Sequence, residues 1–129
     1  MSIHNCMKSF LLVFLGGGLG SGLRFLISNV MSQYSKVLPY GTFTVNIIGC
    51  LLMGIILGYA QKENALNSNQ TLLLVTGFCG GFTTFSAFAN ENLELIKNGE
   101  IFNFSIYTIG SFLIGVLAVF IGLYLTKNI

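Results

Sequence analysis

Long stretches of this chain carry no charge, and that limits the fold more than any other feature. The charged side chains are Lys8, Arg24, Lys36, Lys62, Glu63, Glu91, Glu94, Lys97, Glu100 and Lys127. Between them lie uncharged intervals at 9–23, 25–35, 37–61, 64–90 and 101–126. A helix that crosses a membrane needs about 20 mostly apolar residues. The intervals 37–61 and 101–126 each accommodate one span. The interval 64–90 opens on polar residues, so its span starts near Leu72 and runs on past Glu91. Neither interval beside Arg24 is long enough alone, so the first span includes Arg24. The expected spans are 9–32, 41–61, 71–97 and 101–126. They make the chain an all-α membrane protein with one domain of four transmembrane helices.

Composition excludes the other classes. Charged residues are 8% and hydrophobic residues 53% of the 129, where a soluble domain is about 25% charged. So few charges cannot cover the surface of a soluble domain this size. Disorder requires low hydrophobicity and high charge, the reverse of what is found. A net charge of +2 is too weak and scattered for a nucleic-acid footprint. Cys6, Cys50 and Cys79 are widely spaced and fit neither a zinc pattern nor a disulfide framework. His4 has no ligand partner nearby. With no extramembrane domain there is no place for soluble catalysis, and no enzyme is expected. Lys8 and the apolar run after it resemble a secretory signal, but no A-x-A site follows and apolar character resumes after Arg24, so the segment reads as a retained helix. The sequons at Asn69 and Asn103 fall at expected membrane edges and read as chance matches.

Short connections at 33–40, 62–70 and 98–100 make successive spans antiparallel, with both termini on one side. Positive residues in short loops set membrane orientation. Lys8, Lys62 and Lys127 stand on one side; Lys36, Lys97 and the late-helix Arg24 stand on the other. That even split suggests insertion in both orientations and an antiparallel, dual-topology homodimer. A fixed topology that this count is too coarse to resolve is the alternative. Glycine supplies the packing signal. Gly16/Gly20, Gly18/Gly22, Gly54/Gly58 and Gly77/Gly81 all follow the GxxxG spacing that lets membrane helices approach closely. The glycines of 16–22 do not complete a dinucleotide-binding fingerprint, and no strand precedes them.

Polar groups inside spans are costly and therefore functional candidates. Arg24 would face a wet cavity, meet a partner or snorkel to the interface; in a cavity it attracts anions. Thr42 and Asn46 are four apart and share a helix face. They supply hydroxyl and amide donors either to a ligand or to an interhelical hydrogen bond. In the run Gly77-Phe-Cys-Gly-Gly-Phe-Thr-Thr-Phe-Ser-Ala-Phe, paired glycines precede paired β-branched threonines, which is poor mid-helix sequence. A break is expected near 80–83, where freed backbone groups must line a cavity or find other partners. Phe85, Phe88 and Glu91 then follow at intervals of three along one stripe, with Thr84 adjacent. Tyr107 and Ser111 share a face of the last span, and Gly115 continues it. Many neutral donors and few charges suit a small hydrated anion that must be released as well as bound.

These motifs resemble the Fluc (CrcB-type) family of fluoride channels nearly end to end. The resemblance rests on Gly16, Arg24 and Phe25, on Gly41-Thr42 through Asn46 and Gly49, and above all on 77–88 with Glu91 beyond. It implies passive fluoride export through the inner (plasma) membrane by a multi-pass, dual-topology dimer. That dimer would have two pores, a third helix broken mid-membrane, and a central structural sodium ion held by backbone carbonyls. Carried onto this chain, the sodium carbonyls are those of Gly80 and Thr83. The pore phenylalanines are Phe85 and Phe88, the pore asparagine is Asn46, and Arg24 and Glu91 belong to the vestibule. The hydroxyl track matches Thr84, Ser86, Tyr107 and Ser111, with Thr42 beside Asn46. Gly115 departs from the pattern, where a further small hydroxyl residue is expected. So does Ala87, where threonine or serine is common. The alternative function is a four-helix, dual-topology, proton-coupled multidrug exporter. That chemistry needs a carboxylate in the first span, and this one has Arg24 instead.

Overall fold

The computed structural model describes residues 2–62 and 65–129. Two uninterrupted helices come first, α1 (Ile3–Met31) and α2 (Tyr40–Gln61). The next stretch is built from pieces: α3 (Ser68–Thr71), a π-helical run (Leu72–Cys79), α4 (Gly80–Phe82) and α5 (Phe85–Lys97). The last helix is α6 (Ile101–Lys127). Four stretches are long and apolar enough to cross a membrane: Ile3–Met31, Tyr40–Gln61, Ser68–Lys97 and Ile101–Lys127.

Local chemistry sets where these helices begin and end. α1 starts at Ile3, well ahead of the expected boundary at 9, because the Ser2 hydroxyl accepts the Asn5 N–H at 3.3 Å and caps the first turn. α3 opens with a reciprocal cap. The Asn67 side chain takes the Gln70 N–H while the Gln70 side chain takes the Asn67 N–H, both at 2.9 Å. α5 ends at Lys97, and two residues on, Gly99, with a φ of 73°, reverses the chain. The Glu100 N–H then reaches the Leu95 carbonyl at 2.8 Å, closing off the last turn. That reversal explains how so short a connection turns α5 back into α6.

Packing runs in two pairs: α1 lies against the π-helical run and α4, and α2 lies against α6. Glycine makes both pairs close. A Cβ at Gly20 would sit 2.2 Å from the Phe78 carbonyl oxygen, and one at Gly54 would sit 2.2 Å from that of Val119. Backbone therefore meets backbone in both pairs, as small-residue motifs permit. A Cβ at Gly18 or at Gly22 would meet nothing within 4 Å among the described residues, so close packing within the chain does not require glycine at that GxxxG pair. Val45, Cys79 and Phe82 are the largest fully buried side chains. Phe14, Leu19, Phe112 and Phe120 lie on the outside. Small residues inside and large apolar ones outside suit hydrocarbon surroundings rather than water.

Candidate functional site

The site is organised by the two residues between α4 and α5. Thr83 and Thr84 are extended, with φ/ψ of −84°/159° and −148°/121°, the backbone that β-branched residues favour. Side chains take over the hydrogen bonds a continuous helix would make here. The Thr84 N–H goes to Asn46 Oδ1 at 2.7 Å, and the Ala87 N–H goes to Thr84 Oγ1 at 3.2 Å, which caps α5. Thr84 and Ala87 lie four residues beyond Gly80 and Thr83. The carbonyls of Gly80 and Thr83 are thus deprived of their helical donors.

Asn46 and Arg24 hold this junction from two sides. Asn46, on α2, brackets Thr84: its Oδ1 accepts the Thr84 N–H, and its Nδ2 donates to the Thr84 carbonyl at 3.0 Å. One of its two amide hydrogens stays outside that pair. Arg24, on α1, donates from Nε to the Gly81 carbonyl at 3.0 Å, and the Ser21 hydroxyl donates to the same oxygen at 3.3 Å. A guanidinium at the C-terminal end of α4 also complements the partial negative charge there. The expected vestibule arginine is therefore anchored by one edge to the backbone of the junction.

Beside the junction lies an open groove of about 570 Å³, lined by Asn46, Thr84, Phe85, Phe88, Ser111 and Gly115 among others. Phe85 is 79% exposed, and its ring centroid is 5.9 Å from that of Phe88. Phe88 meets Tyr107 edge-on, with centroids 5.1 Å apart and an interplanar angle of 61°. The groove thus combines neutral polar groups with aromatic rings and holds no ionised side chain among the residues that line it.

Thr42 and Tyr107 do not line this groove. Thr42 Oγ1 donates to Glu91 Oε1 at 2.5 Å, and the Tyr107 hydroxyl donates to Glu91 Oε2 at 2.8 Å. Both donors are buried. A carboxylate is the stronger acceptor and claims both hydroxyls. Thr42 and Asn46 share a face of α2 as their spacing implies, but α5 runs antiparallel beside them. Asn46 meets its N-terminal end and Thr42 meets Glu91 further along. Glu91 borders a second, polar cleft of about 650 Å³, lined also by Ser28, Lys36, Glu94 and Glu100. Ser86 is exposed, and its hydroxyl lies 3.3 Å from that of Thr84. Two further polar contacts carry no motif in the sequence: Ser21 on Gly81, and Thr108 Oγ1 donating to the buried Asn92 Oδ1 at 3.0 Å. Asn92 is readable only as one of several polar residues around Glu91.

The family model described as CrcB-like protein, Camphor Resistance (CrcB), matches residues 11–123, which contain every residue of this site. The chain belongs to the CrcB-like family. Relatives similar to this CrcB-like chain are described as fluoride-specific ion channels, FluC. One from Flavobacterium psychrophilum is 44% identical, covering 95% of this chain and all (100%) of its own. One from Phocaeicola vulgatus is 45% identical, covering 94% and 100%. One from Gloeothece citriformis is 48% identical, covering 95% and 99%. With four helices long and apolar enough to cross a bilayer, this CrcB-like chain is a multi-pass membrane protein. Its membership does not favour the multidrug exporter.

Proposed function

We propose that the chain is a fluoride-selective channel that passively exports fluoride across the inner (plasma) membrane, and is not an enzyme. The observation that carries this reading is full-length similarity to relatives named as fluoride-specific ion channels. The groove's chemistry supports it. Fluoride is small and strongly hydrated, so leaving water requires close donors. Asn46, Thr84 and Ser111 offer them at the groove. The rings of Phe85 and Phe88 present positive edges that attract an anion without the trap a full positive charge would make. Arg24 raises the local potential while its Nε stays fixed to Gly81.

In this proposal Thr83 and Thr84 interrupt the third span mid-membrane, and two copies pair antiparallel, giving two pores. The single-chain groove is open and Phe85 is largely uncovered, which suits closure by a second copy. The family resemblance implies a structural sodium ion held by the carbonyls of Gly80 and Thr83. The fit is chemical: hard cations take carbonyl oxygens, and these two carbonyls have lost their helical donors to Asn46 and Thr84. When bound, sodium would supply a fixed positive charge and tie down the extended segment. Efflux from proteoliposomes tests the reading: fluoride leaves far faster than chloride, and equal rates would overturn it.

A further inference from the structure

Two side chains of α1 converge on one backbone oxygen of the junction. In an unbroken helix the Gly81 carbonyl would accept the Phe85 N–H, but the extended Thr83 and Thr84 part the two. Arg24 Nε donates to that oxygen at 3.0 Å, and the Ser21 hydroxyl donates to it at 3.3 Å. Gly17, Ser21 and Arg24 follow at intervals of four and three, so one face of α1 carries all three. A Cβ at Gly81 would collide with the Gly17 carbonyl, so α4 is seated there backbone to backbone. Its freed carbonyl is then tied down further along the same face. The terminal nitrogens of Arg24 make no hydrogen bond and no ion pair among the described residues. The engaged atom is Nε, and its partner is main chain.

From this geometry we infer that Arg24 and Ser21 are positioning residues, which act on ion passage through the Gly81 carbonyl. They replace its lost helical donor, fix the end of α4 and so fix where the extended segment begins. Asn46 grips the same segment from α2, at Thr84. Without the donors from α1, Gly81 keeps an unpaired carbonyl inside a membrane span, which costs free energy. The segment then shifts to satisfy it and carries Thr84 and Phe85 away from the groove they line. The inference rests on the fluoride-channel reading for its effect on transport. It assigns to the Arg24 hydrogen bond a share of that effect which the charge of the guanidinium does not supply.

Two neutral substitutions separate the hydrogen bond from the charge. Glutamine carries an N–H donor as many bonds from Cα as the arginine Nε, and methionine puts a methyl group there. Both variants lose the charge. Arg24→Gln should pass fluoride about tenfold faster than Arg24→Met in proteoliposomes, the worth of one hydrogen bond. Charge alone predicts equal rates, and equal rates overturn the proposal. Amide hydrogen exchange over 77–88 gives a readout independent of transport. It should be faster than the parent in R24M and parental in R24Q, with α6 unchanged in both. Exchange raised equally in both variants, or throughout the chain in R24M, overturns it. If R24M does not fold, Ser21→Ala carries the test, because it removes the second donor to the same oxygen. Exchange over 77–88 should rise in S21A, and parental exchange there overturns the proposal. A parent that passes no fluoride while exchange follows this order contradicts the channel reading and leaves the positioning role standing.

Discussion

At Asn46 one side chain does two jobs, and the sequence shows only one of them. An asparagine in an apolar run reads as a donor set into a membrane span. That it brackets both backbone groups of Thr84 is invisible, because the partner is main chain far along the sequence. Asn46→Asp keeps the acceptor for the Thr84 N–H, loses the donor to its carbonyl, and adds a negative charge at the groove. Fluoride efflux should fall at least about tenfold, the cost of one hydrogen bond before any charge repulsion; efflux at the parental rate would remove Asn46 from the pathway. Phe85 is the opposite kind of residue. Its spacing with Phe88 is legible, and its exposure of 79% means that little packing depends on it. Phe85→Ile should therefore abolish efflux while the purified protein keeps its thermal unfolding midpoint. A fall in that midpoint would make Phe85 a packing residue instead. Thr42 and Tyr107 have contacts that spacing does not show. By spacing both read as ion donors, and within the chain both hydroxyls donate to Glu91.

Among the elements, the ends of helices and the close glycine contacts follow from local chemistry, while the π-helical run does not. Nothing in Leu72–Cys79 announces its wider turn. Its position against Gly16 and Gly20 of α1 is a tertiary effect. The GxxxG spacing is equally present at Gly18/Gly22, yet only the structure shows that a Cβ at either would meet nothing among the described residues. Gly20→Ala would drive a Cβ onto the Phe78 carbonyl. It should cost roughly 1–3 kcal/mol of stability, the usual range for overpacking, read as a lower unfolding midpoint in detergent. An unchanged midpoint would mean that α1 is not seated there. The link between α5 and α6 is testable in the same way. Glu91 and Tyr107 should show a coupling of about 0.5–3 kcal/mol in a double-mutant cycle of Glu91→Leu and Tyr107→Phe, because each removes one partner of the hydrogen bond. Additive effects would contradict that contact.

For the whole molecule, four spans are readable from where charge is missing, since hydrocarbon tolerates few ionised groups. How the spans pair is not readable, because GxxxG spacing marks a helix face that permits close approach without saying which helix it meets. The even division of positive residues is a property of the entire chain and predicts insertion in both directions. Reporters fused at the C-terminus should give signal on both sides of the membrane, and signal on one side alone would contradict the antiparallel pairing. In the proposed channel, neutral donors and aromatic edges beside the Thr83–Thr84 junction pass fluoride and refuse larger anions. Purified protein in liposomes loaded with both ions tests it most directly. Rapid fluoride efflux with chloride retained inside is expected; fluoride released no faster than chloride would contradict the proposed function.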